Sequence, residues 1–406
     1  MTILHITTHQ TGGAALAALR LHLALLDEGV DSLVLTLDGN KCNDKISLYD
    51  PIMDLQRPKG LAKVIKSALY KCNIGMGRYW RIHDEARKDH ECQYTYPISL
   101  FRVERHPLVK WADIIHLHLC DDFINYPTFF KRVKKPIVWT LHDIGIGYGG
   151  FHYKNDYERL LPYFNLIEKK FISIKKRALL NADNIHLVSL SQEMYDFTKG
   201  VNYLKGKPNT IIPNSVDTNR FQLLDRYKSR IDLDLPLEKT ILLFVSEYVE
   251  TKSKGLNLLK QAIESINNTN IILGIVGNYN KETPLKDTIG TRYFGKISDP
   301  ETMSKLYSAS NYLVVPSSQE SFGQTPLEAM ACGTPVVVFP KGAMKDYVLP
   351  RYGVVCKDCS LEALKDGIEE ALNKSYDGYQ LRKYVTDNFS PSKIAQMYIN
   401  VYKSIH

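Results

Sequence analysis

The stretch richest in chemistry runs from Val314 to Val338 and carries two carboxylates, Glu320 and Glu328, separated by seven residues. Its pattern is apolar strand, polar loop, short helix, apolar strand. Thr325 before Pro326 fits an N-cap and a first helical position. Such a start aims unsatisfied N–H groups and the positive helix end at the loop Ser321-Phe322-Gly323-Gln324-Thr325, a geometry suited to a diphosphate. Gly323 would let backbone approach a ligand closely. Ionised carboxylates only accept hydrogen bonds, so sugar hydroxyls are natural partners, and Glu320 and Glu328 are placed to reach opposite ends of one ligand. The letters Thr325-Pro326-Leu327-Glu328 equally fit a capping box in which Glu328 bonds back to the Thr325 backbone, and spacing does not choose between the two readings.

Further groups stand at the ends of apolar runs. Gly12-Gly13 follows the first strand; alone, it reads as a tight turn. Lys252 and Lys254 precede Gly255, and by themselves read as a solvated pair. His142-Asp143 closes Thr140-Leu141, where a histidine hydrogen-bonded at a strand end is as good a reading as a functional one. His116 and His118 share one strand face; with no third ligand in view they fit a polar patch lining a cleft better than a metal site. Tyr148-Gly149-Gly150-Phe151-His152-Tyr153 either lines an acceptor or is a glycine turn packing aromatics. Cys356-Lys357-Asp358-Cys359 is a lone CxxC and reads as two loop cysteines.

The elements that must position these groups alternate in type. Thr2 to Thr7, a glycine turn, a helix with Leu16, Leu19, Leu23 and Leu26 on one face, and Ser32 to Leu37 make one βαβ unit. Strands follow at Asp113 to Leu119, Pro136 to Leu141 and Ile185 to Leu190, with a long helix from Tyr157 to Leu180. Pro213 to Glu238 reads as a crossover. A second set of strands is expected at Thr240 to Val245, Ile271 to Val276, Arg292 to Phe294, Tyr312 to Val315 and Val336 to Phe339, with Asp299 capping a helix that starts at Pro300. The fold class is α/β: two doubly wound, Rossmann-like domains facing a cleft at the carboxyl ends of their strands. The expected divisions are 1–212, 213–385 and a last helical segment, 386–406.

Glu320-x7-Glu328, with Ser-Phe-Gly after the first glutamate and Glu-Ala-Met-Ala-Cys-Gly-Thr-Pro-Val-Val from the second, resembles the nucleotide-sugar signature of retaining GT-B glycosyltransferases, family 4. His9 to Ala15, Thr140 to Asp143, Ile212 to Phe221 and Phe244 to Leu256 are similar to that family's other segments, in the same order. The resemblance implies that Glu328 holds the ribose hydroxyls, that Glu320 meets donor-sugar hydroxyls, and that Ser321, Phe322, Gly323, Gln324 and Thr325 contact the diphosphate. It implies that Gly12 and Gly13 approach the phosphates and that His142 faces the donor sugar. It gives Lys254 the charge that offsets the leaving diphosphate. The family's usual arginine is missing, since Ser246, Glu247 and Tyr248 stand there; Lys252 is the substitute, a point charge in place of a bidentate fork. His116, His118, Asp143 and His152 fall to the acceptor side. The final helix, from Ser390-Pro391, is expected to cross back onto the first domain. No cofactor and no metal are expected, because no Asp-x-Asp stands at a strand end and GT-B enzymes typically need no divalent ion.

Composition sets the frame. With 406 residues, 44% hydrophobic and 24% charged, the chain can bury a sizeable core, and disorder and disulfide mini-proteins are excluded. The net charge of +8 is concentrated: residues 57 to 177 hold 23 Lys and Arg against 12 Asp and Glu. An amphipathic stretch from Pro58 to Lys71, with Lys59, Lys63, Lys66 and Lys71 around an apolar face, either lies on an anionic membrane or, the better reading on local sequence alone, is a solvated helix packed on its own domain. The other basic runs, including Lys169-Lys170 and Lys175-Lys176-Arg177, lack the interleaved aromatics of a nucleic-acid binder. Seven scattered cysteines, no leader and no apolar run of about 20 residues place the expected protein in the cytoplasm, peripheral on the inner face of the membrane. The implied activity is transfer of a hexosyl or N-acetylhexosaminyl unit, from a UDP-sugar or a GDP-sugar, to a glycan or lipid-linked saccharide in cell-surface polysaccharide synthesis. The alternatives are a sugar-nucleotide epimerase on the same fold and a non-catalytic nucleotide-sugar binder. A Rossmann oxidoreductase is disfavoured, because Gly12-Gly13 lacks GxGxxG spacing.

Overall fold

The computed structural model describes the chain outside residues 39–44, 49–58, 73, 88–91 and 280–289; the side chains of 48, 59–63, 66, 76, 83 and 85–87 also lie outside the description. Contacts divide the chain into two compact units, Met1–Ile212 with Ala395–His406, and Pro213–Ile394.

The first unit is built on seven parallel strands: β1 (Thr2–Thr7), β2 (Asp31–Thr36), β3 (Ile46–Leu48), β4 (Ile114–Leu117), β5 (Ile137–Leu141), β6 (Ile185–Ser189) and β7 (Asn209–Ile211). Their order, β3-β2-β1-β4-β5-β6-β7, reverses direction between β1 and β4. The second unit has six: β8 (Thr240–Tyr248), β9 (Ile271–Asn278), β10 (Thr291–Gly295), β11 (Tyr312–Val315), β12 (Val336–Val338) and β13 (Gly353–Val355). Here the order β10-β9-β8-β11-β12-β13 reverses between β8 and β11. Strands covered on both faces must be apolar nearly throughout, as β4, β5, β11 and β12 are, each buried along its length. In open sheets of this kind ligands bind beyond the strands' carboxyl ends at the reversal. That rule singles out the loops after β1 and β4 in one unit and after β8 and β11 in the other.

Two local expectations change. The helix Gly13–Asp27 does not bury its leucine stripe: Leu16 and Leu23 are exposed, while Ala15, Ala18, Leu21, His22 and Leu25 face inward. The inward face thus mixes alanines with Leu21, His22 and Leu25, and differs from the stripe that leucine spacing alone picks out. Thr325 is not an N-cap either. The helix runs Gln324–Ala331 from Gly323, whose φ of 79° suits only glycine well, so the Thr325–Glu328 capping box does not apply. Asp299 does cap its helix, accepting from Thr302 N–H with Pro300 in the first turn. The two strands not foreseen, β3 and β7, are three-residue sheet edges, too short to show a period.

The crossover stretch is pinned inside the second unit. Arg382 donates to the carbonyls of Thr218, Phe221 and Ala331, and buried Arg230 donates to those of Leu237, Lys239 and Ala309. The last helix, Pro391–Ile405, begins in the second unit and from Ala395 belongs to the first.

Candidate active site

In the second unit the loop after β8 ends in the short turn Lys252–Lys254, and Gly255 follows at φ 80°. A Cβ on Gly255 would collide with the Pro316 carbonyl, so only glycine lets this loop lie against the one after β11. Ser318 N–H donates to the Ser253 carbonyl (2.8 Å), and Lys254 Nζ donates to Glu320 Oε1 (2.5 Å). The two loops at the reversal are therefore tied by backbone and by charge. Tyr347 OH donates to the Gly323 carbonyl (2.5 Å), its ring lies 5.6 Å from that of buried Phe322, and a Cβ on Gly323 would strike Met344. Gln324 is anchored by a 2.9 Å bond to the Ser215 carbonyl. Among the described residues no side chain caps the helix that starts there, which leaves its first N–H groups to an anion. Glu328 is buried and accepts from Tyr307 OH (3.2 Å). Ser246, in place of the arginine, is buried and donates to the Tyr248 carbonyl (2.9 Å).

In the first unit Gly12 caps the helix Gly13–Asp27 at φ 88°, and space beside both glycines is open. Beyond the ends of β4 and β5 lies a cavity of about 40 Å³ lined by His118, Asp121, Tyr126, His142, Asp143, His152 and Lys175, among others. Asp143 is fully committed: one oxygen accepts from Gly145 N–H (2.7 Å), the other from His152 Nδ1 (2.7 Å). His152 Nε2 reaches Thr95 Oγ1 (3.0 Å) and lies 3.7 Å from Asp121. Burial disfavours charge on His152, but the carboxylates of Asp143 and Asp121 outweigh it and raise its pKa to about 9. Burial would lift Asp143, yet His152 holds it below the usual carboxylate range. Burial raises Asp121 to about 6 and lowers Lys175, which donates to the Gly145 carbonyl (2.7 Å), to about 8. His142 is pushed down to about 4 by burial and so is a neutral ring near pH 7.

His116 lines no cleft. It is fully buried, with its ring nitrogens on Tyr402 OH (2.7 Å) and Thr140 Oγ1 (2.8 Å). One ring nitrogen from each of His5, His116 and His118 falls within a 4.8 Å cluster, a donor set that three-histidine metal sites use. Five of the six ring nitrogens already have hydrogen-bond partners, so the residues fit a polar network better than a cation.

Residues 225–388 match the model of the family described as Glycosyl transferases group 1. That segment is similar to group 1 glycosyl transferases. An uncharacterized glycosyltransferase of Methanocaldococcus jannaschii is 26% identical over 72% of this chain and 75% of its own. Sucrose-phosphate synthase of Thermosynechococcus elongatus superposes with a TM-score of 0.68 at 19% identity, over 100% of this chain and 98% of that one. HepE of Anabaena, solved with UDP-glucose, gives 0.66 at 15% identity over the whole of both chains. The matched segment thus sits in a chain whose two Rossmann-like units have the GT-B architecture.

The structure joins Lys254 to Glu320 and sets Ser321 to Thr325 and Glu328 around the same loop and helix, all within the segment that matches the group 1 model. It joins His118 to His142 (3.1 Å) and Asp143 to His152. The Lys252 side chain makes no hydrogen bond or ion pair among the described residues, where only its carbonyl accepts, from Gly255 N–H, and Lys59, Lys63 and Lys66 have side chains outside the description. Several residues of these sites escaped the sequence reading: His5, Asp121, Glu168, Lys175, Tyr307 and Tyr347. Glu168 accepts from Gly149 and Gly150 N–H and from Tyr94 OH, which fixes the glycine turn, while Phe151 packs on Tyr94 and Phe164. A signal did exist. Phe164, Glu168, Phe171 and Lys175 follow helical spacing on the buried face, so Lys175 is not part of a surface charge run.

Proposed function

We propose that the chain is a retaining, metal-independent glycosyltransferase of family 4 that moves a hexosyl or N-acetylhexosaminyl unit from a nucleotide diphosphate sugar, a UDP-sugar before a GDP-sugar, to a lipid-linked saccharide in cell-surface polysaccharide synthesis. The observation that carries this reading is the meeting of Lys254, Glu320 and the uncapped start of the helix Gln324–Ala331 at one sheet reversal, inside the segment that matches the group 1 model.

Breaking the anomeric bond puts positive charge on the sugar and negative charge on the departing phosphate, so preorganised charge should contribute more than a strong base. Lys254, with Lys252, the N–H groups of Ser321 to Thr325 and the helix end behind them, offsets the phosphate. Glu320 takes sugar hydroxyls and Glu328 the ribose. From the first unit Gly12 and Gly13 serve the phosphates, and His142 positions the sugar as a neutral ring. A phosphate oxygen leaving on the same face takes the acceptor's proton. Asp143, His152 and His118 belong to the acceptor side. No metal or other cofactor has a part in this scheme.

The acceptor's lipid is read from the basic excess of residues 57–177 and from the exposed apolar side chains Val64, Ile74, Tyr163 and Leu166 of the first unit, the last two on the helix that carries Lys169 and Lys170. The protein would then work on the inner face of the membrane. No helix among the described residues is long and apolar enough to cross one.

The test is incubation with UDP- and GDP-sugars, with and without a membrane-lipid extract, following nucleotide release. Release that needs the extract is expected. Product formed without any acceptor would support epimerisation or hydrolysis, and binding without release would leave a non-catalytic binder.

A further inference from the structure

Behind His142 the first unit holds a file of imidazoles. His142 Nε2 lies 3.1 Å from His118 Nδ1, and His118 Nε2 lies 2.9 Å from His5 Nδ1. His5 Nε2, at the inner end, is buried without a partner. His5 and His118 are buried, and His142 is half-buried with no hydrogen bond to its Nδ1 among the described residues. The backbone dictates this file: His5 is a residue of β1, His118 follows β4 and His142 follows β5, and β4 lies between the other two in the sheet.

A neutral imidazole carries one N–H and one bare nitrogen. A 2.9 or 3.1 Å contact between two ring nitrogens holds when one proton lies between them; two N–H groups repel, and two bare nitrogens bond nothing. We infer that His5 and His118 are positioning residues that set the tautomer and ring orientation of His142, with all three rings locked in the same tautomer, all Nδ1–H or all Nε2–H. A single dissenting ring would break a contact in the interior, where an unmade hydrogen bond costs on the order of 1–3 kcal/mol. Burial, the largest effect on each of the three rings, holds them neutral, which keeps the one-proton rule in force near pH 7. His116 is exempt, because its partners are hydroxyls that rotate to give or take a proton. What this does for catalysis rests on the glycosyltransferase reading: a locked ring presents Nδ1 as a fixed donor or a fixed acceptor.

The experiment is long-range 1H–15N correlation of the histidine side chains in the intact protein near neutral pH. Matching tautomers in His5, His118 and His142 are expected, and a mismatch overturns the inference. So does a stoichiometric metal in the purified protein bound through His5 and His118, since it would take the shared proton's place. In His118→Phe the signature of His142 should move toward a mixture of tautomers; an unchanged signature also overturns it. If circular dichroism shows that His118→Phe does not fold, His5→Phe takes its place, with His118 and His142 still required to match. In the nucleotide-release assay, kcat of the folded variant should fall roughly 10- to 100-fold, with donor KM much less affected, as when the group orienting a functional imidazole is lost. A wild-type protein that releases no nucleotide from any donor would remove the glycosyltransferase reading and leave the spectroscopic result standing.

Discussion

Lys254 Nζ donates to Glu320 Oε1 across 2.5 Å, joining the loop after β8 to the loop after β11. The cation assigned to the diphosphate and the carboxylate assigned to the sugar hydroxyls thus satisfy each other. On the proposed reading, a diphosphate sugar would exchange that contact for its own, with Lys254 turning to the diphosphate and Glu320 to the sugar hydroxyls.

Removing either partner should therefore cost turnover far more than stability. Lys254→Ala should lower kcat by on the order of 10²- to 10³-fold, the usual loss for one electrostatic stabiliser. Glu320→Ala should abolish turnover. Nucleotide release and far-UV circular dichroism together check this, and near-normal release by either variant would remove its assigned role.

Glu168 is a structural counterpart in the first unit. Its carboxylate takes the N–H groups of Gly149 and Gly150 and the hydroxyl of Tyr94, all buried. Glu168→Ala strands those donors and should destabilise the unit by about 3–5 kcal/mol, the scale for breaking a buried charged network. Urea denaturation followed by tyrosine fluorescence measures it.

The pair His152–Asp143 predicts a pH dependence. The pKa of His152 is raised to about 9, so the stability it contributes is full below its ordinary value of 6.5 and lost as pH rises through about 9. Asp143 is depressed, so its contribution is present above 3.8 and lost as pH falls through the lower folded value. Lys175, lowered to about 8, acts in the opposite sense between there and 10.5. The stability gap between wild type and His152→Phe should consequently be wide near pH 6 and narrow above about pH 9.5, as compared by urea midpoints at each pH.

Much of this was legible because strand ends announce themselves. Apolar runs followed by Gly, His-Asp or Glu-Ser-Phe-Gly marked the carboxyl ends of β1, β5 and β11, and topology then placed those loops beside a reversal. What stayed hidden depended on facing. Alanine and leucine on the helix Gly13–Asp27 are both apolar, so periodicity does not tell the buried face, Ala15, Ala18, Leu21 and Leu25, from the exposed one with Leu16 and Leu23. Lys175 looked like surface charge because its neighbours Lys176 and Arg177 are exposed, while the helical turn carries Lys175 inward to the Gly145 carbonyl. Thr325-Pro326 copied a helix start that Gly323 supplies two residues earlier.

The basic excess makes a separate prediction on binding. Replacing Lys59, Lys63 and Lys66 with Gln should weaken co-sedimentation with vesicles containing anionic lipid, at about 1 kcal/mol per charge near the surface, and added salt should weaken it further. Unchanged binding would refute the membrane assignment of that helix.

Tyr398 and Tyr402 bring hydroxyls to Thr140 and His116, inside a unit whose other residues end at Ile212. The first unit is thus discontinuous in the chain, and its oldest strands wait for its youngest residues. During synthesis the buried face around His116 stays open while the whole second unit is being made. A ribosome stalled anywhere in residues 213–394 carries an N-terminal half that is structurally unfinished, however native its sheet. A fragment ending at Ile212 would lack the same two hydroxyls and leave Thr140 and His116 without them.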